Sequence, residues 1–251
     1  MTNPPIDLPA HTGSRTTRLL GAAVLVGVVT MVLLGFFVAP EDDLMADSVR
    51  MIFVHVPSAI LTYVALSVTA VGSVMWLWKR SVWWDIVAHS SAEIGVIFCG
   101  LTLITGSIWG RPTWNTYWEW GDVRLVTTLI LFVLMVGYLA VRSMDGDESA
   151  VATRASVVGI IAAVNIPIIN RSVEWWAERT LHQQSSITDG KLEDWTLFTM
   201  FLGIVVWGVF YTWAMTHRFR IAWLERELRD GDLDEAIAAR RAEAATSGGA
   251  S

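Results

Sequence analysis

Residues 19–39 read LLGAAVLVGVVTMVLLGFFVA, a run without a single charged side chain. As an α-helix rising about 1.5 Å per residue, this run is long enough to cross the ~30 Å hydrocarbon core of a bilayer. The apolar core of a cleaved signal peptide is shorter, at about 7–15 residues. The stretch therefore predicts a transmembrane helix that anchors the chain and is not removed.

Five further apolar stretches follow, at residues 51–78, 86–109, 125–141, 155–170 and 195–216. His55 lies at the start of the second helix and Glu93 lies within the third. Over the whole chain, 53% of residues are hydrophobic and 17% are charged, whereas soluble proteins carry about 25% charged residues. The sequence thus predicts an all-α membrane protein with six transmembrane helices in a lipid bilayer. The fourth and fifth helices are expected to extend beyond these short runs.

Lys and Arg are unevenly distributed among the connecting segments. With a cytoplasmic N-terminus, the inner segments carry twelve of the 18 basic residues and the outer loops carry six. Because basic residues concentrate on the cytoplasmic side of membrane proteins, both termini are expected to be cytoplasmic. The connections at residues 40–50, 110–124 and 171–194 then all face the same outer compartment.

The two ends of the chain differ in composition from its middle. Residues 1–18 contain three prolines, and residues 218–251 are charged, rich in alanine and end in Gly and Ser. Such compositions are typical of unstructured termini. We therefore expect a disordered cytoplasmic head at 1–18, a six-helix membrane domain at 19–217 and a charged cytoplasmic tail at 218–251, with at most a short surface helix over 223–241.

The stretch WGRPTWNTYWEWGDVRL at residues 109–125 is unusually aromatic. Its rings belong to Trp109, Trp114, Tyr117, Trp118 and Trp120. One interpretation is an aromatic belt, since tryptophan rings favour the headgroup level of a membrane. The other is a flat platform for a large planar ligand with carboxylates, because the rings offer stacking area and the flanking Arg111 and Arg124 offer bidentate hydrogen bonds. The residues alone leave both interpretations open.

Two of the five histidines share the predicted outer face with this stretch. His55 lies in VHVPS, where Pro57 is expected in the first turn of the second helix, and His182 lies in TLHQQ of the last outer loop. Each alone is more often an ordinary interfacial residue than a ligand. Together, two neutral imidazoles from different segments are what axial ligation of a haem iron requires. A zinc site would need further Cys or His ligands at a spacing that the sequence does not offer.

Charged residues near these motifs have alternative interpretations. Asp122 closes the aromatic stretch and could orient either Arg124 or a ring N–H. Arg111, Arg124 and Arg171 either pair with the carboxylates of a ligand or mark helix ends at the headgroups, and the planar fork of arginine suits a carboxylate better than lysine does.

A second polar group lies toward the inner side. Asp85, His89 and Glu93 recur at four-residue spacing and so share one helical face. We interpret that face as a polar stripe near the inner interface rather than as a path for protons or haem. Cys99 is the one cysteine, which excludes an intramolecular disulfide and a CxxCH haem-attachment site. It is expected to be an inert buried thiol.

The motifs together resemble the tryptophan-rich WWD signature of haem-handling proteins and, within that group, the cytochrome c maturation protein C family, also called haem exporter protein C. The resemblance rests on HVPS at residues 55–58, GSIWGRPTW at 106–114, and NRSVEWW at 170–176 with the later LHQ. It extends over roughly residues 19–217. One departure is that Gly121 separates Trp120 from Asp122, where the family pattern commonly runs from Trp directly into Asp.

The resemblance implies a function and a set of site residues. Haem b would be held as transient cargo at the outer face, with His55 and His182 as axial ligands. The outer-face loops would form the haem platform, and the residues of the signature expected beside the haem are Trp109, Trp114, Trp118, Trp120 and Asp122. Apart from the resemblance, the chemistry of arginine makes Arg111, Arg124 and Arg171 the candidates for contact with a haem propionate. The haem would pass to a membrane-anchored periplasmic haem chaperone for c-type cytochrome biogenesis. Other expected partners, in the bacterial cytoplasmic (inner) membrane, are the ATPase and membrane subunits of an ABC transporter and a small single-helix subunit.

Other classes of protein fit the sequence less well. The net charge of −6 provides no basic field for a nucleic acid. No GxxxxGK[ST] motif is present, so ATP hydrolysis would belong to another chain, and we expect no enzymatic activity. Two alternatives remain. A quinone-linked haem-containing oxidoreductase subunit usually places paired histidines inside its helices. A secondary transporter favours interrupted helices with ionisable residues near the midplane.

Overall fold

The computed structural model describes residues 13–42, 46–182 and 194–248. Within these ranges the chain forms six long α-helices and no β-strand: α1 Arg15–Leu33, α2 Ile52–Lys79, α3 Val82–Trp114, α4 Val123–Arg142, α5 Glu148–Trp175 and α6 Asp194–Gly248. A π-helical turn, Leu34–Val38, continues α1, and 3-10 turns at Asp47–Met51 and Ala177–Arg179 precede α2 and follow α5. All six helices are long and apolar enough to cross a membrane, which confirms the predicted fold.

The two ends of the chain are more helical than the sequence predicts. α1 begins at Arg15, inside the predicted head, because the Oγ of Ser14 caps it by accepting the backbone N–H of Thr17 at 3.2 Å. α6 continues without interruption to Gly248, so residues 218–248 of the predicted tail are helical rather than unstructured, and the short helix predicted at 223–241 is part of α6. Residues 1–12 of the predicted head and residues 249–251 lie outside the described residues.

α2 and α3 form an antiparallel hairpin with a two-residue turn. Arg80 adopts a left-handed conformation with φ of 52° and ends α2 by donating its backbone N–H to the carbonyl of Trp76 at 2.8 Å. The helices approach closely because a Cβ on Gly72 would lie only 2.9 Å from the carbonyl oxygen of Trp84. Small residues at such contacts allow helices to pack tightly within a membrane. This register places the start of α2 beside the end of α3.

The core of the bundle lies among α2, α3, α4 and α5. One buried cluster draws on all four of these helices: Leu66, Cys99, Leu131, Met135, Ala162 and Ile169. Cys99 is a fully buried free thiol, as the sequence predicts. α6 packs on α2 and α3 around Phe98, and α1 packs on α6, where Trp213 covers Gly21.

The first turns of α2 are held between α1 and α6. Phe53 packs on Gly35 of the π-helical turn, where a Cβ would lie 2.7 Å from the ring. Arg50 donates to two backbone carbonyls of the same turn and so ties the α1–α2 connection to α1. The sequence predicts Pro57 in the first turn of α2, but the structure places it in the second turn. Its missing N–H leaves the Phe53 carbonyl without a helical donor, and Gly203 of α6 packs against both groups.

Ion pairs join the helices toward the end of the bundle that lies opposite the first turns of α2. Asp85 of α3 accepts two hydrogen bonds from Arg142 of α4, at 2.5 and 2.9 Å. Glu93, two turns further along α3, accepts two from Arg218 of α6, both at 2.6 Å. The Nε2 of His89 lies 3.7 Å from a Glu93 carboxylate oxygen. The polar stripe predicted from the sequence therefore joins α3 to α4 and α6.

Candidate functional site

The aromatic stretch is divided between the end of α3 and the connection to α4. α3 continues to Trp114, beyond the end predicted at residue 109, so Trp109 and Trp114 lie on a helix and not in a loop. Asn115 ends the helix in a left-handed conformation with φ of 59°. Arg111 stabilises this turn by donating to the backbone carbonyl of Asn115 at 2.6 Å and to its Oδ1 at 2.8 Å.

The connection after α3 carries the remaining aromatic residues. Trp118 is half-buried and its backbone N–H donates to the Oγ1 of Thr116 at 3.3 Å. The Trp120 ring packs edge-on against it, with centroids 5.6 Å apart and planes at 70°. Trp120 and Tyr117 are 73% and 61% exposed. One part of the aromatic surface is thus packed into the protein, while the other part is open.

His55 lies in the first turn of α2, and its ring rests on the end of α3. The Nδ1 atom lies 3.1 Å from the Oγ1 of Thr105, and the ring meets Trp109 edge-on, with centroids 5.7 Å apart and planes at 66°. Gly106 leaves room for the imidazole, since a Cβ there would lie 2.9 Å from its Cε1. The sequence did not identify Thr105 or Gly106; their position one helical turn before Trp109 is the signal that points to them.

His182 comes from the connection between α5 and α6, and its ring packs on Trp114, the last residue of α3. The centroids of the Trp114 and His182 rings are 4.7 Å apart, with planes at 55°. The Nδ1 of His182 lies 4.0 Å from the Oδ2 of Asp122. The backbone N–H of His182 donates to the Oγ1 of Thr180 at 3.3 Å. Residues 183–193 of the predicted outer loop lie outside the described residues.

Asp122 joins the His182 segment to α4. Only 2% of the residue is exposed. Its Oδ1 caps α4 by accepting the backbone N–H of Leu125 at 2.9 Å, and its Oδ2 accepts the backbone N–H of Leu181 at 2.5 Å. Burial raises the pKa of the Asp122 carboxyl, but the His182 imidazole and the two backbone N–H groups outweigh burial and lower that pKa to about 2. The carboxyl is therefore ionised at neutral pH. The sequence did not identify Leu181.

The structure brings His55 and His182 to the same end of the bundle. They lie against Trp109 and Trp114, which are on successive turns of α3. Two buried indole nitrogens at this end, the Nε1 atoms of Trp109 and Trp118, have no hydrogen-bond partner within the described part of the chain. Buried polar atoms are nearly always paired in proteins. Other buried polar atoms without partners occur elsewhere among the described residues, the Nδ1 of His89 for example. What distinguishes this end is that two unpaired indole nitrogens lie beside two imidazoles.

The candidate arginines differ in their partners. Arg124 donates to two backbone carbonyls of α5, at 3.3 and 3.4 Å. Asp122 does not orient it, because the Asp122 oxygens accept the backbone N–H groups of Leu125 and Leu181. Arg171 pairs with Glu174 at 2.7 Å, and the two side chains are 54% and 50% exposed. Arg124 contributes to the electrostatic environment of His55, and Arg111 and Arg171 do not. Of the arginines predicted for the site, Arg124 is thus the one with an electrostatic influence on His55.

Comparison with known proteins gives consistent matches. Residues 4–233 match a protein family described as Heme exporter protein C. The Bradyrhizobium diazoefficiens protein of that name is 39% identical over 189 residues, which are 72% of this chain and 70% of the relative. The Haemophilus influenzae protein of that name is 36% identical over 219 residues, or 82% and 86% of the two chains. The Escherichia coli K12 protein is 39% identical over 155 residues, or 61% of each chain. The family match includes all six membrane-spanning helices.

Proposed function

The chain belongs to the Heme exporter protein C family, and from this premise we propose that it binds haem at the outer face of the membrane and delivers it to a haem chaperone for c-type cytochrome biogenesis. It is a multi-pass protein of the bacterial inner membrane. The observation that carries the proposal is the convergence of His55 and His182 on the tryptophans at the end of α3, with unpaired buried nitrogens around them.

The two imidazoles have the chemistry of axial iron ligands. The Nδ1 of His55 lies beside the hydroxyl of Thr105, and the Nδ1 of His182 faces the carboxylate of Asp122. Each ring therefore keeps Nε2 for the iron of haem b. A carboxylate behind a ligating imidazole fixes its orientation and raises its basicity, so Asp122 supports His182 in this role. Haem held in this way is bound without a covalent link to the protein and can be released.

The aromatic stretch supplies the surface beside the haem. Trp109 and Trp114 already contact the two histidines, and Trp118 and Trp120 extend the apolar surface along the connection. Aromatic rings contribute stacking area to a planar macrocycle. The unpaired Nε1 groups of Trp109 and Trp118 are donors available to a polar edge of the ligand.

The haem propionates require partners or water, since an unpaired charge is costly to bury. We infer that at least one of Arg111, Arg124 and Arg171 contacts a propionate. Arg124 is favoured because its charge acts on the His55 ring, whereas the other two are held at exposed turns by Asn115 and Glu174.

The topology follows from the basic residues. Twelve of the 18 lie on the side that carries the chain termini, so the termini and the ion-paired end of the bundle face the cytoplasm and the haem platform at residues 109–125 faces outward. In this arrangement the domain at residues 19–217 handles haem. The segments at 1–18 and 218–251 remain on the inner side.

The partners are those that a haem export complex requires. They are the ATPase and membrane subunits of an ABC transporter, a small single-helix subunit, and a membrane-anchored haem chaperone in the periplasm. The chain contains no phosphate-binding GxxxxGK[ST] motif, so nucleotide hydrolysis belongs to the ATPase subunit. Its own role is binding and delivery, and it is not an enzyme.

Complementation tests the proposal. The chain is expressed in a bacterium that lacks its own heme exporter protein C, and haem that copurifies with the tagged chaperone is measured together with covalent haem in c-type cytochromes. The wild-type chain is expected to restore both signals, and the double variant His55→Ala/His182→Ala is expected to restore neither. His217→Ala, which replaces a histidine of α6 that packs on Trp213, is the control. Full restoration by the double variant would overturn the proposal.

A further inference from the structure

The ring of His55 packs into a small pocket on one turn of α3, which we call the seat of His55 and which consists of Thr105, Gly106 and Trp109. Thr105 meets its Nδ1 at 3.1 Å, Gly106 lies under its Cε1, and Trp109 packs on it edge-on. Thr105 and Gly106 are both buried, at 7% exposure for the threonine. The seat therefore belongs to the packed interior of the bundle and is present before any ligand arrives.

The proton on the Thr105 hydroxyl is already committed. Its Oγ1 donates to the backbone carbonyl of Leu101 at 2.7 Å, and the carbonyl of Thr102 is a second acceptor at 3.3 Å. A hydroxyl has one proton, and a carbonyl can only accept. Toward the Nδ1 of His55, the oxygen can therefore act only as an acceptor. The hydrogen atom between the two residues must lie on Nδ1.

This assignment determines the tautomer of His55. A neutral imidazole that carries its proton on Nδ1 has its lone pair on Nε2, and the lone pair is the group that binds a metal. The opposite tautomer would place a lone pair on Nδ1 facing the lone pairs of the hydroxyl. It would also leave an N–H on Nε2, which cannot ligate iron.

We propose that Thr105 is a positioning residue that fixes His55 in its Nδ1–H tautomer and so prepares Nε2 for iron before haem binds. Gly106 also helps to position His55, because a side chain at residue 106 would displace the imidazole ring. The inference rests on the proposed function, since it assigns a role to Thr105 through His55. Hydrogen-bond partners of ligating histidines commonly change metal affinity by about 10- to 100-fold when they are removed.

Nitrogen NMR of the haem-free protein tests the tautomer directly. The chain has five histidines, so ¹⁵N-histidine labelling gives few signals, and the His55 signal is identified by its loss in His55→Gln. In the wild type, Nδ1 is expected to be protonated and Nε2 unprotonated. Protonation of Nε2 instead would overturn the proposal, and this reading of the wild type does not depend on any Thr105 variant folding.

Two substitutions of Thr105 test its effect on haem. Thr105→Val keeps the shape of the side chain and removes the acceptor, whereas Thr105→Ser keeps the hydroxyl and is the matched control. Thr105→Val is expected to weaken haem binding about tenfold and to convert part of the six-coordinate low-spin spectrum into a five-coordinate one. The serine variant should match the wild type. Equal haem affinity and equal spectra for the valine variant and the wild type would overturn the inference.

The His55→Ala variant separates failure of this inference from failure of the proposed function. If His55→Ala loses the low-spin spectrum while Thr105→Val retains it, the haem site stands and the role of Thr105 is wrong. If His55→Ala also retains a wild-type spectrum, His55 is not an iron ligand, and the site assignment fails together with the inference.

Discussion

At the residue scale, Asp122 connects three parts of the site through one buried carboxylate. Its oxygens hold the first turn of α4 and the backbone of Leu181, and one of them faces the ring of His182. Asparagine has nearly the same shape and also caps helices well. Asp122→Asn therefore removes the negative charge while leaving the cap of α4 in place.

The contribution of the Asp122 charge is expected to disappear in acid. Folding lowers the pKa of this carboxyl from 3.8 to about 2, so its stabilisation is fully present above pH 3.8 and is lost as pH falls toward 2. Melting of haem-free protein, followed by tryptophan fluorescence, should show wild type more stable than Asp122→Asn at neutral pH. The difference should shrink between about pH 4 and pH 2. A difference that stays constant through this range would contradict the assigned charge.

Haem affinity is expected to depend on Arg124 more than on the other two arginines. A charge-assisted hydrogen bond is worth about 1.5–3 kcal/mol, so Arg124→Gln should weaken haem binding by about tenfold or more. Arg111→Gln and Arg171→Gln should have smaller effects, and Arg124→Lys shows how much the planar fork contributes. Haem titration of the four variants measures this. Wild-type affinity in all of them would mean that the propionates face solvent or a partner chain.

At the scale of the elements, hydropathy predicts the interiors of the helices better than it predicts their ends. Interiors are predictable because backbone groups within lipid must be paired inside the helix. α3 continues through Pro112 to Trp114 and ends there, because Asn115 adopts a left-handed conformation and Arg111 bonds to it. α6 continues as a helix beyond residue 217, where its polar part binds the bundle through Arg218. The partner of Arg218 is Glu93, 125 residues away in the chain, and such a long-range contact cannot be predicted from the local composition of the tail.

The site was predictable in its residue types but not in its supports. His55, His182 and the tryptophans stood out as residues able to ligate or stack. The supports of His55 depend on the register of the α2–α3 hairpin, where facing residues such as His55 and Gly106 have position numbers that add up to about 160. The two-residue turn would allow that register, and hence Thr105, to be deduced. Leu181 could not be deduced, because its contact depends on how the α5–α6 connection folds over α4.

The aromatic stretch should act as a binding surface and not only as a belt. Leucine is apolar but lacks a flat ring, so replacing three rings of the stretch should reduce haem content severalfold, given about 0.5–1.5 kcal/mol per aromatic contact. Insertion into the membrane should persist. The variant is Trp114→Leu/Trp118→Leu/Trp120→Leu. Its control alters exposed tryptophans outside the stretch: Trp78→Leu/Trp83→Leu/Trp195→Leu. Normal haem content and transfer in the first triple variant would favour the belt.

At the scale of the whole molecule, the two ends of the bundle are built for different tasks. One end is closed by arginine–carboxylate pairs that join α3 to α4 and α6. The other end holds two imidazoles and the buried indole nitrogens of Trp109 and Trp118, which have no hydrogen-bond partner among the described residues. The ion pairs give the bundle a fixed geometry, and the imidazoles with the indole N–H groups beside them can accept a ligand. The proposed orientation assigns the first to the cytoplasm and the second to the outer compartment.

Cysteine labelling is expected to confirm this orientation. In a Cys99→Ala background, Tyr117→Cys and Met144→Cys place single thiols at positions whose native side chains are 61% and 55% exposed, at opposite ends of the bundle. A membrane-impermeant maleimide should label the first in intact spheroplasts and the second only after lysis. The reverse pattern would show that the site faces the cytoplasm.

The proposed function depends on one haem held between His55 and His182. The most direct test is the visible spectrum and haem stoichiometry of the purified wild-type protein beside His55→Ala and His182→Ala, with His217→Ala as control. The wild type and the control should show one six-coordinate low-spin haem. Each single variant should lose the low-spin signature while keeping some haem, because stacking and the remaining imidazole still contribute. If both single variants keep the wild-type low-spin spectrum at full stoichiometry, the two histidines are not the iron ligands and the proposed haem site is wrong.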